Sequence, residues 1–315
     1  MKIKSVAILG AGAVGSYLIW GLSKKEDVEL CVVAEGERKS RFERDGFCIN
    51  GRVYHPVIKT PREAAGADLV ILSVKYSGLP SAMDAIREIV APHTLVMSLM
   101  NGIDSEEKLG TVIPPTQILP SLIKINSERR GNSIHFDPEP TIGIIFGEAE
   151  EFNGINGKDS PERTEAVAEL LHDTGIHWIE TEDIIREIWS KFQLNVSWNI
   201  PQAIIGAPLG CYTDSQHALW LMQALSGEVS AVAAAKGISL PREQSTDIVG
   251  KIVTKKGKYS MLQDMEAGRH TEIDMFCGTM IRMGEELGIP VPASEMAYHL
   301  IRALEEKMDG NFIYE

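Results

Sequence analysis

The chain has 315 residues, a length that suits about two domains, and 44% of them are hydrophobic, enough to bury a core. That composition excludes a disordered chain and a small disulfide-stapled scaffold. The formal net charge of −13 argues against broad binding of nucleic acid or of an anionic membrane surface, so we expect neither as a partner.

The N-terminal segment has neither the pattern of a secretory signal nor that of a membrane span. The apolar run from Val6 is short because glycines interrupt it from Gly10 onwards, and no stretch approaches roughly 18 uninterrupted apolar residues. The cysteines form no Cys-x-x-Cys pair, and the histidines do not cluster at metal-ligand spacing. We therefore expect a cytoplasmic protein with reduced thiols and no metal site.

Short β-rich runs alternate with helical segments over the first half of the chain. The predicted strands are Ser5–Leu9, Val28–Ala34, Leu69–Val74, Thr94–Met100, Ile118–Ile123, Ser133–Phe136, Thr141–Phe146 and His177–Glu180. The predicted helices of this half are Gly15–Lys24 and Leu79–Val90. This alternation predicts an α/β domain with a doubly wound parallel sheet of Rossmann type.

The helical period dominates after about Glu182. The predicted helices are Asp183–Ile200, Ser215–Lys236, Arg242–Lys256, Thr271–Leu287 and Ser294–Lys307. We therefore predict a Rossmann-type domain over residues 1–182, followed by an all-helical C-terminal domain over residues 183–315. An apolar run such as Ala218–Leu225 suits a homodimer interface and the core of this second domain equally well.

The segment that starts at Gly10 has the pattern Gly-x-Gly-x-x-Gly, with a predicted strand before it and a predicted helix after it. In that context Gly10 permits a tight turn, Gly12 lets backbone N–H groups approach a pyrophosphate, and Gly15 lets the helix pack on the strand. The helix N-terminus, at Ala13 and Val14, adds a partial positive charge that favours the anion. A glycine-rich turn without a ligand is the alternative, but the flanking elements favour a dinucleotide-binding domain.

The residues after the second predicted strand leave two cofactors open. Glu35 lies about 20 residues beyond Gly15, where an acidic residue usually accepts hydrogen bonds from the ribose hydroxyls of NAD. Arg38 and Lys39 follow closely and could instead hold the 2′-phosphate of NADP. All three side chains could also be ordinary surface charges. The residues by themselves predict NAD or NADP.

A polar line runs along the helix predicted at Asp183–Ile200. At about 100° per residue, Lys191, Asn195 and Asn199 fall on one side, and apolar residues, Leu194 among them, flank the line. A separate polar face carries Arg186, Ser190, Gln193 and Ser197. Buried polar groups need partners, which a substrate between two domains could supply. A surface lysine whose stem covers apolar area explains the pattern equally well.

A lysine in such a place could take part in proton transfer. Partial desolvation lowers the pKa of a lysine, so that it exchanges protons nearer neutral pH. Reduction of a carbonyl by a nicotinamide needs such a group, because a proton must reach the oxygen when hydride reaches the carbon.

Three blocks of sequence resemble one known family. They are Ala7–Gly15, the stretch from Trp189 to Asn199, and the run from Tyr259 to Asp274, which contains Ser-Met-Leu-Gln-Asp and Thr-Glu-Ile-Asp; the tail Gly288–Pro292 fits as well. With these blocks the chain resembles the ketopantoate reductase (2-dehydropantoate 2-reductase) family nearly from end to end. The resemblance implies reduction of the 2-oxo acid ketopantoate to pantoate with NADP(H), for pantothenate and coenzyme A synthesis. It also implies that the helical domain serves substrate binding and dimerisation.

The resemblance also implies roles for individual residues. Lys191 resembles the general acid that protonates the carbonyl oxygen, and Glu272 resembles the carboxylate that hydrogen-bonds it. The positions implied in substrate binding are Asn101, Asn195, Asn199 and Ser260, with Asn101 between the nicotinamide and the substrate. Lys75 resembles a residue that touches the cofactor or the substrate. Each has a structural alternative, such as a helix N-cap for Ser260 or a first-turn carboxylate for Glu272.

Three departures from the family pattern keep alternatives open. Glu35 stands where the family commonly has an arginine for the NADP 2′-phosphate, so NAD(H) stays possible. Met100 replaces a frequent glutamine, and Cys277 replaces a common asparagine. These changes leave room for a paralogue that acts on another 2-oxo or 3-hydroxy acid. A non-catalytic dinucleotide sensor is a third possibility, although it could dispense with Lys191 and Glu272.

Overall fold

A computed structural model describes residues 2–152, 161–240 and 254–312 of the chain. The chain divides into two compact units, Met1–Glu187 and Ile188–Glu315. The predicted boundary at residue 182 lies a few residues before this division and stays a prediction.

The first unit is built on parallel strands. The strands in chain order are β1 (Ser5–Leu9), β2 (Glu29–Val33), β3 (Phe47–Ile49), β4 (Arg52–Tyr54), β5 (Val57–Lys59), β6 (Leu69–Leu72), β7 (Leu95–Ser98), β8 (Ile118–Leu119), β9 (Ser121–Lys124), β10 (Ser127–Arg130), β11 (Ser133–Phe136), β12 (Gly143–Phe146) and β13 (Trp178–Glu180). Six of them form one parallel sheet in the order β5-β2-β1-β6-β7-β8. The smaller sheets have the orders β10-β11-β3-β4 and β13-β12-β9. The predicted Rossmann-type α/β fold is confirmed.

Helices cover both faces of the large sheet. The helices of this unit are α1 (Ala13–Leu22), α2 (Gly36–Asp45), α3 (Leu79–Ile89), α4 (Ser105–Leu109) and α5 (Pro161–Leu171). Alternate residues of β1 enter different cores, since Ile8 packs in the cluster that contains Leu18 of α1, and Leu9 in the cluster that contains Ile86 of α3. Coverage of both faces explains why β1 and β6 are continuous apolar runs rather than alternating ones.

The first unit differs from the sequence prediction in several elements: β3, β4, β5, β10, α2, α4 and α5 were not predicted, and one predicted strand is divided. The strand predicted at Ile118–Ile123 is divided at Pro120 into β8 and β9, which belong to different sheets. Proline has no N–H to donate to a strand ladder, which explains the break. Helix α2 has no buried residue and no apolar stripe, so hydrophobic periodicity could not find it.

The second unit is helical, as the sequence predicts. Its helices are α6 (Ile184–Leu194), which begins in the first unit, α7 (Ile200–Ile205), α8 (Cys211–Asp214), α9 (Gln216–Ala235), α10 (Ser260–Glu266), α11 (Thr279–Leu287) and α12 (Pro292–Met308). Two π-helical turns, Asn195–Asn199 and Asp274–Gly278, interrupt the helices predicted at Asp183–Ile200 and Thr271–Leu287. Most of the helix predicted at Arg242–Lys256 lies outside the described residues.

Helix α9 contacts α7, α8, α11 and α12. Among the described helices, α9 alone is long and apolar enough to cross a membrane, with a mean hydropathy of 1.3. Core helices of soluble proteins meet the same criteria of length and composition. Glu228 of α9 accepts the N–H groups of Ala293 at 2.6 Å and Ser294 at 2.8 Å. These first-turn N–H groups of α12 have no partner within their own helix, so Glu228 caps it.

Candidate active site

Four predicted cofactor positions follow neighbouring strands at one edge of the large sheet. Glu35 follows β2, the turn that starts at Gly10 follows β1, Lys75 follows β6, and Asn101 follows β7. In parallel strands these carboxyl ends share one edge, and their order along it is that of the strands, β2-β1-β6-β7. The chain leaves β1 for β2 on one side and reaches β6 on the other. Ligands of open α/β sheets bind at such a switch point.

The glycine turn is closed by backbone contacts that leave no room for side chains. Gly10 has φ +103°, and a Cβ atom there would lie 2.5 Å from the carbonyl oxygen of Ser73. A Cβ atom at Gly15 would lie 2.1 Å from the carbonyl oxygen of Gly10. The Ser73 hydroxyl donates to that same Gly10 oxygen at 2.7 Å. The two glycines therefore fix how β1, the turn and α1 approach each other.

Gly12 has a different environment from the two closing glycines. It is the N-cap of α1, makes no side-chain cap, and a Cβ atom added to it would meet nothing within 4 Å. Ala13 and Val14 form the first turn of α1, so their N–H groups lie at the positive end of the helix. An open cradle in front of a helix N-terminus is what a pyrophosphate requires. The residues present therefore fit a dinucleotide.

The residues that would select between NAD and NADP lie around the start of α2. Glu35 is exposed and is the N-cap of α2, and Arg38 lies in the first turn with its guanidinium 5.2 Å from the centre of the Phe42 ring. Lys39 is paired with Glu63 at 2.6 Å. A phosphate at Lys39 would have to compete with this carboxylate, which leaves Glu35 and Arg38 as the residues to test.

Side chains join the loops that follow β6 and β7. The Tyr76 hydroxyl, next to Lys75, donates to Asp104 at 2.9 Å, and the Lys108 ammonium lies 2.7 Å from the same carboxylate. Asp104 is only 1% exposed. Burial alone would lower the pKa of Lys108, but its bonds to Asp104 and Tyr76 outweigh this, and the pKa is raised. The connection holds the loop of Asn101 beside the loop of Lys75.

A second buried group lies behind the Asn101 loop. The Ser98 hydroxyl donates to Ser105 at 2.8 Å, and the Ser105 hydroxyl donates to Glu106 at 2.7 Å. Burial raises the pKa of Glu106 from 4.5 to about 7, despite hydrogen bonds from Ser105 and the backbone of Ser121. Sequence analysis missed this carboxyl, because two adjacent glutamates in a polar helix look like surface residues.

We expect Glu106→Gln to change the pH dependence of stability. The folded-state pKa is raised, so the folded protein keeps the proton between about pH 4.5 and 7 while the unfolded chain loses it. The free energy of unfolding therefore falls across that window, by ~3 kcal/mol for this group. Urea unfolding from pH 4.5 to 8 should show this fall in the wild type and lose it in Glu106→Gln. The exposed neighbour Glu107 provides the control, since Glu107→Gln should show the same decrease in the free energy of unfolding as the wild type. If Glu106→Gln also showed this decrease, the raised pKa of Glu106 would not be its cause.

In the second unit, one continuous helical run carries Lys191, Asn195 and Asn199. Lys191 is half-buried in α6, Asn195 is the first residue of the π turn, and Asn199 the last. A π turn closes i to i+5 bonds, so each residue rotates by less than the 100° of an α-helix. Asn199 therefore turns back towards the line of Lys191. The regular α-helical drift expected from the sequence is wrong here.

The flanks of this line also differ from the prediction. Leu194 is exposed, whereas Gln193 and Ser197, predicted on a separate polar face, are buried. Gln193 donates to the hydroxyls of Ser226 at 3.1 Å and Ser230 at 2.7 Å, on the adjacent α9. A helical wheel shows which residues share a face, but not which neighbouring helix offers polar partners.

Asn199 and Ser260, both predicted to bind substrate, are joined directly. The Asn199 amide donates to the Ser260 hydroxyl at 3.1 Å, and its oxygen accepts the Met261 N–H at 2.9 Å. Ser260 is the first residue of α10, and Tyr259 is the N-cap, so the N-cap alternative for Ser260 is wrong. Gln202, which the sequence analysis missed, is fully buried and accepts the N–H of Tyr259 at 2.9 Å. The start of α10 is thereby fixed to α7.

Glu272 lies two residues before the second π turn, which begins at Asp274. Its carbonyl oxygen accepts the N–H groups of Met275 at 3.1 Å and Phe276 at 3.2 Å. The Phe276 ring packs on the ring of Phe192, the neighbour of Lys191, at 6.1 Å between centroids, and the two π turns are in contact. The elements that carry Lys191, Asn195, Asn199, Ser260 and Glu272 therefore adjoin one another within this unit. Within the described ranges, no group of three or more His, Cys, Asp and Glu side chains could hold a metal ion.

Comparison with known proteins gives a family for both units. The sequence profile of ketopantoate reductase PanE/ApbA matches residues 6–148, and that of the ketopantoate reductase PanE/ApbA C terminal matches residues 183–305. A 2-dehydropantoate 2-reductase of Mesorhizobium japonicum is 26% identical over 321 residues, covering 95% of this chain and 97% of that protein. The resemblance inferred from sequence blocks is thereby confirmed.

Solved structures share the fold over nearly the whole chain. A PanE/ApbA family ketopantoate reductase from Ralstonia eutropha JMP134 has a TM-score of 0.81 at 25% identity, covering 97% of this chain and 99% of that one. D-mandelate dehydrogenase with NADH and anilino(oxo)acetate has a TM-score of 0.82 at 21% identity, with coverages of 97% and 99%. A dimeric ketopantoate reductase from Staphylococcus aureus has a TM-score of 0.73 at 17% identity, with coverages of 96% and 99%. The last two likenesses show a common fold.

Proposed function

Because the chain belongs to the ketopantoate reductase PanE/ApbA family of NAD(P)H-dependent oxidoreductases, we propose that it reduces 2-dehydropantoate to pantoate. The observation that carries the proposal is the packing of Phe192 against Phe276, which makes the helix of Lys191 a neighbour of the segment of Glu272. A lone glycine turn would support a dinucleotide-binding protein of any function. An acid and a carboxylate on adjoining elements support a reductase.

The residues of the chain divide the proposed reaction between binding and proton transfer. The N–H groups at Ala13 and Val14 would hold the pyrophosphate, and a bound nicotinamide supplies the hydride. Lys191 would give a proton from its Nζ atom to the carbonyl oxygen, because that oxygen becomes basic as hydride reaches the carbon. Glu272 would hydrogen-bond the same oxygen as it becomes a hydroxyl.

The substrate would be held by neutral polar groups of the helical unit. Ser260 would donate its hydroxyl to the substrate carboxylate, and Asn199, which already contacts Ser260, would fix that hydroxyl. Asn195, 8% exposed, would bind the substrate from the same helical run. On the cofactor side, Lys75 would contact the dinucleotide, and Asn101 would lie between the nicotinamide and the substrate.

Glu35 makes the cofactor preference testable. An exposed carboxylate at the end of β2 accepts hydrogen bonds from a ribose 2′-hydroxyl and repels a 2′-phosphate. We therefore propose that the protein uses NAD(H), although the family resemblance implies NADP(H). Glu35→Arg should shift the ratio of kcat/KM values towards NADPH by roughly 10-fold or more, since one charge is removed and its opposite added. Arg38→Gln, which removes the other candidate, serves as the matched variant. A ratio that Glu35→Arg leaves unchanged, but Arg38→Gln alters, would assign the preference to Arg38.

A panel of acids tests the substrate. Purified protein should oxidise NADH or NADPH with 2-dehydropantoate faster than with pyruvate, 2-oxoisovalerate or phenylglyoxylate. If the protein reduced another acid but not 2-dehydropantoate, that acid would be the substrate, and the proposed reaction class would stand. Absence of turnover with all acids, together with tight dinucleotide binding, would favour the dinucleotide sensor.

A second candidate, reduction of another 2-oxo acid, is favoured by specific positions. Met100 and Cys277 depart from the family pattern near proposed site residues, and both are buried. D-mandelate dehydrogenase, a 2-hydroxy acid enzyme, shares the fold. Phenylglyoxylate, the 2-oxo acid related to mandelate, is therefore the most informative competitor in the panel.

The cellular setting follows from the proposed reaction. The family is typically cytoplasmic, and we propose that location together with a role in pantothenate and coenzyme A synthesis. The helical unit would serve substrate binding and dimerisation, a proposal supported by the dimeric relative. Sedimentation velocity of the purified protein would test the dimer.

A further inference from the structure

The residues around Glu272 are tied to other parts of the helical unit. The outer tethers use side chains of which at least one is solvent-accessible: Arg269 to Asp264, His270 to Asp309, and Asp274 to Tyr298. The tether nearest to Glu272 ends on a carboxylate that is more deeply buried than Asp264. Glu305 of α12 is only 1% exposed and contacts Thr271, the residue immediately before Glu272.

Both carboxylate oxygens of Glu305 accept hydrogen bonds. Its Oε1 atom accepts the Thr271 N–H and the Thr271 hydroxyl, each at 2.7 Å, and its Oε2 atom accepts from the Arg302 guanidinium at 2.8 Å. A carboxylate without partners would be costly at this depth, and hydrogen bonds to charged groups are stronger than those between neutral groups. The Thr271 backbone is therefore held by one of the stronger contacts of this unit.

The chain on the other side of Glu272 is fixed by packing. Ile273, Met275 and Phe276 are fully buried, and the carbonyl oxygen of Glu272 accepts the last two of their N–H groups. Glu272 thus lies between a hydrogen-bonded residue and a buried helical turn. Loss of the contact to Thr271 would leave the chain before Glu272 held only by the more exposed tethers of Arg269 and His270, so the position of Glu272 would be less fixed.

We propose that Glu305 is a positioning residue for Glu272, and that it acts by holding the backbone of Thr271 through a buried carboxylate. The proposal rests on the function proposed above, in which Glu272 hydrogen-bonds the reacting oxygen. A purely structural role would make Glu305 one half of an ion pair with Arg302, three residues earlier on the same helix. That ion pair alone would not require a bond to Thr271.

Three variants separate positioning from stability. Glu305→Leu removes every acceptor and should lower kcat on the order of 10-fold to 10²-fold, since misplacement by about 1 Å has effects of that size. Its KM for the acid should change much less, and its dissociation constant for the dinucleotide should stay within about 2-fold, because the glycine turn belongs to the other unit. Glu305→Gln keeps one oxygen for both Thr271 donors and should recover most of the kcat.

The third variant, Glu228→Gln, controls for stability. Glu228 caps the opposite end of the same helix, so its replacement should lower the melting temperature without changing kcat. Comparable loss of kcat in Glu228→Gln and Glu305→Leu at a similar melting temperature would overturn the proposal. So would a Glu305→Leu variant with wild-type kcat, or a Glu305→Gln variant as slow as Glu305→Leu.

Hydrogen exchange distinguishes failure of this proposal from failure of the proposed function. Amides from Thr271 to Phe276 should exchange faster in Glu305→Leu, but not in Glu228→Gln. If the wild type reduces no 2-oxo acid, the proposed function fails, and exchange alone then decides whether Glu305 holds this segment. Unchanged exchange in Glu305→Leu would overturn the proposal whatever the activity.

Discussion

Lys191→Ala is expected to lower kcat by a factor on the order of 10² or more, because the carbonyl oxygen would lose its proton donor. The dissociation constant of NADH should stay close to the wild-type value, since the glycine turn that would bind the pyrophosphate belongs to the other unit. An effect on kcat without an effect on cofactor binding is the signature of a group that acts in the chemical step.

Steady-state rates and fluorescence titration of NADH would measure both quantities. Arg186→Ala offers a matched control, because Arg186 lies on the same helix, α6, but is exposed. A small external amine should restore part of the activity of Lys191→Ala if the missing function is proton donation. Wild-type kcat in Lys191→Ala would remove Lys191 from the mechanism.

The glycines of the turn should separate into two classes on substitution by alanine. Gly15→Ala should lower the free energy of unfolding by about 3 kcal/mol or more, because a rigid backbone oxygen lies 2.1 Å from the new Cβ atom. Gly12→Ala should lower it by less than ~1 kcal/mol, because the new Cβ atom meets open space. That open space is where we expect the pyrophosphate, so Gly12→Ala should weaken dinucleotide binding by roughly 10-fold or more.

Urea unfolding of the apo-protein and NADH titration would show the two classes. Gly36→Ala is a useful reference for strain alone, since Gly36 has φ +54° and no atom within 4 Å of an added Cβ. Equal losses of stability in Gly12→Ala and Gly15→Ala would contradict the distinction between a binding glycine and a packing glycine. Full cofactor affinity in Gly12→Ala would contradict the proposed pyrophosphate position.

The elements that carry the dinucleotide turn could be predicted because each has a local cause. Strand β1 is a short apolar run that ends at a glycine with a positive φ, and the predicted bounds Ser5–Leu9 are those observed. Helix α2 could not be predicted in the same way, because most of its residues are charged and Phe42 alone makes no apolar stripe. Its position is set by the strands on either side rather than by its own pattern.

The polar line of the second unit shows where periodicity stops being informative. The sequence placed Lys191, Asn195 and Asn199 on one side of a helix, but no rule of spacing indicates the π turn that changes the position of Asn199. The partners of these residues are also far away in sequence. Ser260 follows Asn199 by 61 positions, and Glu305 follows Thr271 by 34. Only tertiary packing brings such pairs together.

Because the chain is acidic overall, local groups would have to attract the proposed ligands. A dinucleotide and a 2-oxo acid are both anions, and the net charge of −13 would not attract them. Helix N-termini, glycine-turn amides and the two lysines Lys75 and Lys191 would have to supply the attraction. This explains why the candidate residues are few and why single substitutions should have large effects.

The most direct test of the proposed function is the ratio of kcat/KM for 2-dehydropantoate to kcat/KM for phenylglyoxylate, each measured with the preferred nicotinamide cofactor. We expect this ratio to exceed about 10, because a site shaped for a branched aliphatic acid with a hydroxyl should discriminate against an aromatic ring that lacks the hydroxyl. A ratio below one, or no oxidation of the cofactor with either acid, would contradict the proposed function.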